Sequence, residues 1–261
     1  MLLSLSGLNA QRLPAPLPVW HASTDALGWA QVARAAAESG ARLVSMWGVD
    51  RHACEAGAAG HVACAAFALP EGLLWLELPL QANAATFPDL AQLFPAAGRM
   101  QRAMADLSGL RAHGHPDHRP WLDHGAWPRN ARGADTDTRW RPLRRDAGAP
   151  DLAQASDPGD YDFVRVEGDG VHEIAVGPVH AGTIEPGHFR FSVVGEKVLR
   201  LEQRLGYTHL GVERRFTELA PLDAHLLAAR VVGDSTVAFG WAYCMALESA
   251  AGCRIPARAA A

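Results

Sequence analysis

Between Arg129 and about Asp160 the chain changes character: Arg, Asp, Gly, Pro and Ala crowd together and hydrophobic periodicity disappears. Such a stretch has too few apolar residues at regular spacing to hold a strand or helix, and it reads as a linker running over a surface. It divides the 261 residues into two units, 1–128 and 167–261, with 129–166 as the linker. At 49% hydrophobic residues the chain can bury a real core.

In the first unit, Thr24 and Asp25 are positioned to cap a helix through ALGWAQVARAAAES, whose apolar stripe of Leu27, Val32 and Ala35 to Ala37 ends at Gly40. ARLVSMWG reads as a buried strand. VACAAFAL and GLLWLELPL, separated by Pro70-Glu71-Gly72, predict a hairpin. A second helix is predicted from about Pro88 to Leu107, divided at Pro95. In the second unit FVRV, VHEIAV, HFRFSVV and KVLRLEQRL predict a small antiparallel sheet, with a tight turn at Gly195-Glu196. Pro221 suits the first turn of a helix through LDAHLLAARVV. Gly233 breaks that helix before Asp234 or Ser235 caps a last one, STVAFGWAYCMALESAAG, which stops at Gly252. The fold class is α+β.

Several function classes fall away on totals. A net charge of -4 with arginines scattered among acids gives no field for a nucleic-acid backbone. The four cysteines, Cys54, Cys64, Cys244 and Cys253, lack the CxxC spacing of a zinc ribbon or ferredoxin cluster and fit a reducing cytoplasmic setting. No segment has eighteen successive apolar residues, and MLLSLSGLNAQRLPAP lacks a basic region before a short apolar run, so neither a membrane span nor a secretory leader is expected.

Two stretches concentrate chemistry. HGHPDHRPWLDH, His113 to His124, holds four imidazoles and two carboxylates, compatible either with a metal or with a proline-stiffened loop packing Trp121 and Trp127. GPVHAGTIEPGHF, Gly177 to Phe189, brings His180, Glu185 and His188 together. Glu185 lies between Ile184 and Pro186, which predicts a partly buried carboxylate suited to proton transfer, with the histidines as partners. The same pattern also fits two histidines that satisfy backbone groups in a tight Gly/Pro loop. Tyr243 shares a helix face with Phe239 and Leu247 and reads as a core tyrosine. YTHLGVERR reads as a strand end followed by a solvated turn.

VHEIAVGPVHAGTIEPGHFRF, GEKVLRLEQRLGYTHLGVERRF and GDSTVAFGWAYCMALE resemble the opening third of the catalytic large subunit of energy-converting [NiFe] hydrogenases of the formate hydrogenlyase type. That large subunit is homologous to the D-type, quinone-site subunit of respiratory complex I (NADH:quinone oxidoreductase). FPAAGRMQRAMADLSGLRAHGHPDHRPWL followed by RPLRRD resembles the C-type subunit of complex I, which these hydrogenases carry fused ahead of the large subunit. Gln101 and Ala103 depart from that pattern, which has glutamates there. The resemblance implies a C-type α/β domain followed by the sheet and helices that open a large-subunit domain. It makes the histidine-rich loop a packing motif. It gives Glu185 the role of passing protons, His180 that of meeting a quinone headgroup, and Tyr243 that of a quinone-binding tyrosine.

The same resemblance implies a membrane-associated electron-transfer complex at the cytoplasmic face, in which an iron-sulfur small subunit holds a [4Fe-4S] cluster and membrane subunits complete the assembly. The family's R-x-C-G-x-C reads here Arg230-Val231-Val232-Gly233-Asp234-Ser235, so Val232 and Ser235 replace both thiolates, and no metal ligand is expected in this chain. The family continues with a long helical bundle where this sequence reads RIPARAAA. A fragment or truncated product is therefore expected, either serving the complex or acting as a non-catalytic structural or assembly module.

Overall fold

Strands β4 (Gly60–Leu69) and β5 (Gly72–Gln81) form the hairpin that their composition predicts, paired from Leu69↔Gly72 back to Gly60↔Gln81. The computed structural model describes residues 8–51, 60–81, 85–130, 140–144, 150–151 and 161–260. Most of the segment read as a linker, and Cys54, lie outside the described residues. The hairpin is the middle of a five-stranded sheet ordered β1 (Gln11–Leu13), β2 (Val19–Ser23), β5, β4, β3 (Arg42–Asp50). Only the β2–β5 pair is parallel, because helix α1 (Ala26–Glu38) carries the chain away from β2.

Period-two alternation sends Ala63, Ala65 and Phe67 of β4 and Leu74, Leu76 and Leu78 of β5 into one buried cluster with Trp29, Val32, Ala33 and Ala36 of α1. Asp25 caps α1 by accepting the Gly28 N–H at 2.8 Å. The opposite sheet face carries Glu77, paired with Arg51 at 2.8 Å and His21 at 3.4 Å. Burial pushes the neighbouring Cys64 thiol up to about 12, which keeps it protonated and inert.

The second helix is shorter than its sequence suggests. Thr86–Pro88 is a strand, β6, pairing in parallel with β7 (Arg111–His113), and helix α2 spans only Ala97–Ser108. Pro95 has no N–H to continue a ladder, and side chains replace the missing helical bonds. The Leu90 N–H donates to Gln101 Oε1 at 2.9 Å, and Asp89 Oδ1 accepts from Gln101 Nε2 and from the Ala91 N–H. Gln101, one of the departures from the family pattern, is thus a buried fastener.

Arg129–Asn130 (β8) pairs with Pro150–Asp151 (β9). Within the segment read as a linker, residues 140–144 are pinned to the first unit: the Leu143 N–H donates to Leu107 O at 2.9 Å and Arg141 is buried. Residues 163–166, FVRV, form no strand, since the Val164 N–H donates to the Glu202 carboxylate at 2.7 Å rather than to a neighbouring backbone. The antiparallel sheet consists of β10 (Val171–Val176), β11 (His188–Val194) and β12 (Lys197–Arg204), with its tight turn at Gly195. Short helices α3 (Val212–Phe216) and α4 (His225–Ala228) precede α5 (Thr236–Ala251) and α6 (Ala257–Ala260). The helix predicted from Pro221 shrinks to α4, since the Asp223 and Leu226 N–H groups turn back three residues, onto Ala220 O and Asp223 O, in tight turns. Ser235 takes the N-cap position of α5 without a side-chain hydrogen bond, and Gly252 ends the helix in the left-handed region.

Charged side chains join the two units. Arg102 of α2 donates to Tyr161 Oη at 2.6 Å and to the carbonyls of Arg119 and Pro120 at 2.7 and 2.8 Å. Arg119 grips Asp117 with two bonds and reaches Glu202 of β12 at 3.0 Å. Burial works against the Asp117 charge, but the Arg119 hydrogen bonds and the Arg102 charge outweigh it and hold the carboxyl at about 2. A carboxyl with a folded-state value below its unfolded one adds stability that is complete above the unfolded value, roughly 4. That contribution disappears as pH falls toward 2. Denaturant midpoints measured across that window should therefore fall more steeply in the native protein than in Asp117→Asn. Parallel curves would mean that Asp117 holds no charge-dependent contact.

Candidate functional site

The turn from β10 to β11 is tight enough to require glycine at its start. Gly177 has φ +82, and a Cβ there would stand 2.2 Å from Gly187 O and 2.6 Å from His180 Nε2. His180 Nε2 lies 2.7 Å from Gly187 O, and because a carbonyl only accepts, that nitrogen carries the proton. His188 Nδ1 lies 3.2 Å from Gly177 O, and the Gly187 N–H donates to Pro178 O at 3.1 Å. Both histidines thus tie the two ends of the turn to each other through backbone carbonyls. Glu185, expected to be partly buried, is exposed, because the turn bulges outward between its tied ends.

Beside this turn opens a groove of about 700 Å³. Glu185 stands on its wall with Tyr243 and Phe239 of α5, Phe216 of α3 and Phe189 of β11. His180 is not among the lining residues, although Gly187, to which it is bonded, is one. Tyr243 stacks on Phe216 with ring centroids 5.7 Å apart and donates its hydroxyl to Pro221 O at 2.7 Å. It is half-buried at a groove wall, not in a closed core. The arrangement offers flat apolar surface for a planar ligand, with a carboxylate and a phenol oxygen for its polar atoms.

The rest of the wall was not foreseen. Residues 205–213 line the groove, as does Leu122 from the first unit. The stretch YTHLGVERR is thus more than a solvated turn. The signal in the sequence is Gly206, at φ +88, where a Cβ would stand 2.5 Å from Leu122 O.

HGHPDHRPWLDH is organised around bonds to backbone and arginine. Asp106 of α2 is buried, and its Oδ2 accepts the N–H groups of Trp121, Leu122 and Asp123 at 2.7, 2.8 and 3.3 Å. Burial pushes this carboxyl up, while the three N–H groups and Arg141 counter that shift. The Arg102 guanidinium lies 5.2 Å from the Trp121 ring centroid, and Trp127 packs on His209 at 4.9 Å. Among the described residues no three His, Cys, Asp or Glu side chains are grouped to hold a metal ion.

Val232 precedes, and Ser235 ends, the 3-10 turn Gly233–Ser235 that leads into α5. An alkyl and a hydroxyl group do not fit a soft nickel-iron centre, which needs thiolates. Among the described residues, no helix is long and apolar enough to cross a membrane.

Residues 19–151 match the family described as respiratory-chain NADH dehydrogenase, 30 Kd subunit, and the chain belongs to that family. The matched region covers just over half of the chain and extends into the segment read as a linker.

Among particular proteins, the chain is similar to formate hydrogenlyase subunit 5 of Escherichia coli (strain K12), with 31% identity over 189 residues, 70% of this chain and 32% of that protein. It is also similar to hydrogenase-4 component G of the same organism, with 32% identity over 183 residues, 69% and 31% of the two chains. The C/D-type subunit of NADH-quinone oxidoreductase from Phocaeicola vulgatus is 26% identical over 185 residues, 66% of this chain and 34% of that one. The chain spans about a third of the length of these curated relatives. A trypsin-resistant fragment of Nqo5 aligns at TM-score 0.38 and 16% identity over 44% of this chain and 92% of that one, too slight a likeness to carry an argument.

Proposed function

We propose that this chain serves a membrane-associated electron-transfer complex related to the hydrogenases and to NADH:quinone oxidoreductase, peripheral to the cytoplasmic face of the membrane, and that its groove receives a planar carrier such as a quinone headgroup. The observation that carries this reading is the shared wall: Glu185 and Tyr243, two residues that the resemblance assigns to proton and quinone handling, line one groove with three phenylalanine rings. A quinone supplies reversible two-electron chemistry when bound. Glu185 is an exposed acceptor that can exchange protons with water, the phenylalanines exclude water from a ring, and the Tyr243 oxygen orients a polar edge. A donor role for Tyr243 requires its hydroxyl to leave Pro221 O. His180 acts in this reading by holding Gly187 in the wall.

In this reading a [4Fe-4S] cluster in an iron-sulfur small subunit would supply electrons to the groove, with membrane subunits as the remaining partners. Nickel is not held, because Val232 and Ser235 stand where thiolates are required.

A second reading, a non-catalytic structural or assembly module, is favoured by one observation: His180 Nε2 and the Tyr243 hydroxyl are both already bonded to backbone carbonyls. Tyr243→Phe in the assembled complex separates the two. Losing one neutral hydrogen bond to the carrier should lower turnover about twofold to tenfold, with assembly retained. Full turnover in that variant would leave the module reading. Metal analysis of the same purified complex tests the nickel reading for this chain: nickel that disappears when Ser235 or Val232 is altered would overturn it.

A further inference from the structure

The groove's least regular wall has no secondary structure between the end of β12 and α3, yet three contacts from the first unit converge on it. His124 Nε2 lies 2.7 Å from Leu205 O. The Leu122 carbonyl occupies the space where a side chain at position 206 would begin, 2.5 Å from an ideal Cβ. Trp127 packs on the ring of His209 with centroids 4.9 Å apart and an interplanar angle of 36°. Leu205, Gly206 and His209 all line the groove, and Leu122 itself reaches it. Sequence separation is large, 81 residues between His124 and Leu205, so nothing local enforces this arrangement.

We infer that His124 and Trp127 are positioning residues: through Leu205 and His209 they fix the 205–209 wall of the groove, so that the first unit sets how tightly the groove holds its ligand. The inference rests on reading the groove as the carrier site.

Its chemistry is simple. Burial, with the nearby Arg204 charge, lowers the His124 pKa, so the ring is neutral near pH 7. Its Nε2–H donates to the Leu205 carbonyl, which can only accept. An edge-on contact with Tyr161, centroids 5.5 Å apart, holds the ring from its other side. Tyr161 in turn accepts from Arg102. The wall is therefore referenced to α2 through side-chain contacts and not through its own backbone ladder. Displacing such a wall weakens contacts that ground state and transition state share, and the loss is read in KM more than in kcat.

The test uses the assembled complex carrying His124→Leu, His124→Gln or Trp127→Ala, with a short-chain ubiquinone analogue as probe. Two readouts are taken: quinone KM and kcat, and amide hydrogen exchange of residues 205–211. In His124→Leu, exchange in 205–211 should quicken and KM should rise about fivefold, the scale of one lost hydrogen bond, with kcat changed less than about twofold. His124→Gln, which keeps a donor near the Nε2 position, should return both readouts to native values. Trp127→Ala should repeat the exchange result at 208–211 and covers the case in which His124→Leu does not assemble. Unchanged exchange in 205–211 in the assembled variants overturns the inference. Faster exchange with an unchanged KM leaves the positioning intact and overturns the carrier reading of the groove instead.

Discussion

Asp106→Ala is expected to lower the unfolding free energy by about 3–5 kcal/mol, a large loss for a single polar substitution. The side chain is buried, and one oxygen serves three consecutive N–H groups, those of Trp121, Leu122 and Asp123. Removing it strands all three at once, and a buried N–H without a partner costs about 1–3 kcal/mol. Water entering the vacated volume recovers part of the loss, which is why the sum of three full penalties is not expected. Against a typical total of about 5–15 kcal/mol, the change would bring the protein close to unfolding. Urea midpoints of Asp106→Ala and Asp106→Asn test it, with the Asn variant retaining one acceptor and losing less. A shift below about 1 kcal/mol in the Ala variant would mean that the 121–123 turn is held by other contacts.

The isolated chain is expected to self-associate. Helix α5, TVAFGWAYCMALESAA, has a single charged residue and no buried one, an unusual state for an apolar helix. Val237 is 79% exposed, Trp241 68% and Leu222 81%, and the sheet adds Ile174, Val198 and Leu201. Apolar surface of this extent drives association unless another polypeptide covers it. On size exclusion, most of the chain should elute above its monomer position, and Val237→Lys with Trp241→Lys should shift most of it back toward monomer. A monodisperse native monomer would show that the surface is tolerated by water and that no covering polypeptide is needed.

Helix α1 with its Asp25 cap, the β4–β5 hairpin, the strands β10, β11 and β12 with their turn at Gly195, and the end of α5 at Gly252 were all legible in the sequence. Each depends on side-chain periodicity or on a cap within four residues, and such information is local. The family resemblance likewise rested on short motifs, and the match over residues 19–151 agrees with its complex I C-type part.

Misreadings fell where a distant partner outweighs local preference. Helix α2 begins at Ala97 because Gln101 and Asp89 satisfy the preceding backbone, and FVRV is no strand because Glu202 captures the Val164 N–H. Glu185 looked partly buried between Ile184 and Pro186, yet its exposure follows from how His180 and His188 draw the turn's ends together.

By itself the sequence determined the elements whose periodicity and caps are local, helix α1, the β4–β5 hairpin, the β10–β12 strands and α5, and that Val232 and Ser235 supply no thiolate; the resemblance added Glu185, His180 and Tyr243 as candidates. Only the tertiary structure decided that Glu185 and Tyr243 share a groove while His180 faces a carbonyl, and that His124 and Trp127 contact Leu205 and His209 of its lining. The physical reason is range. Periodicity and capping act over a few residues, whereas the loop that lines the groove is bonded to residues such as His124, 81 positions from Leu205, whose geometry no repeating pattern encodes.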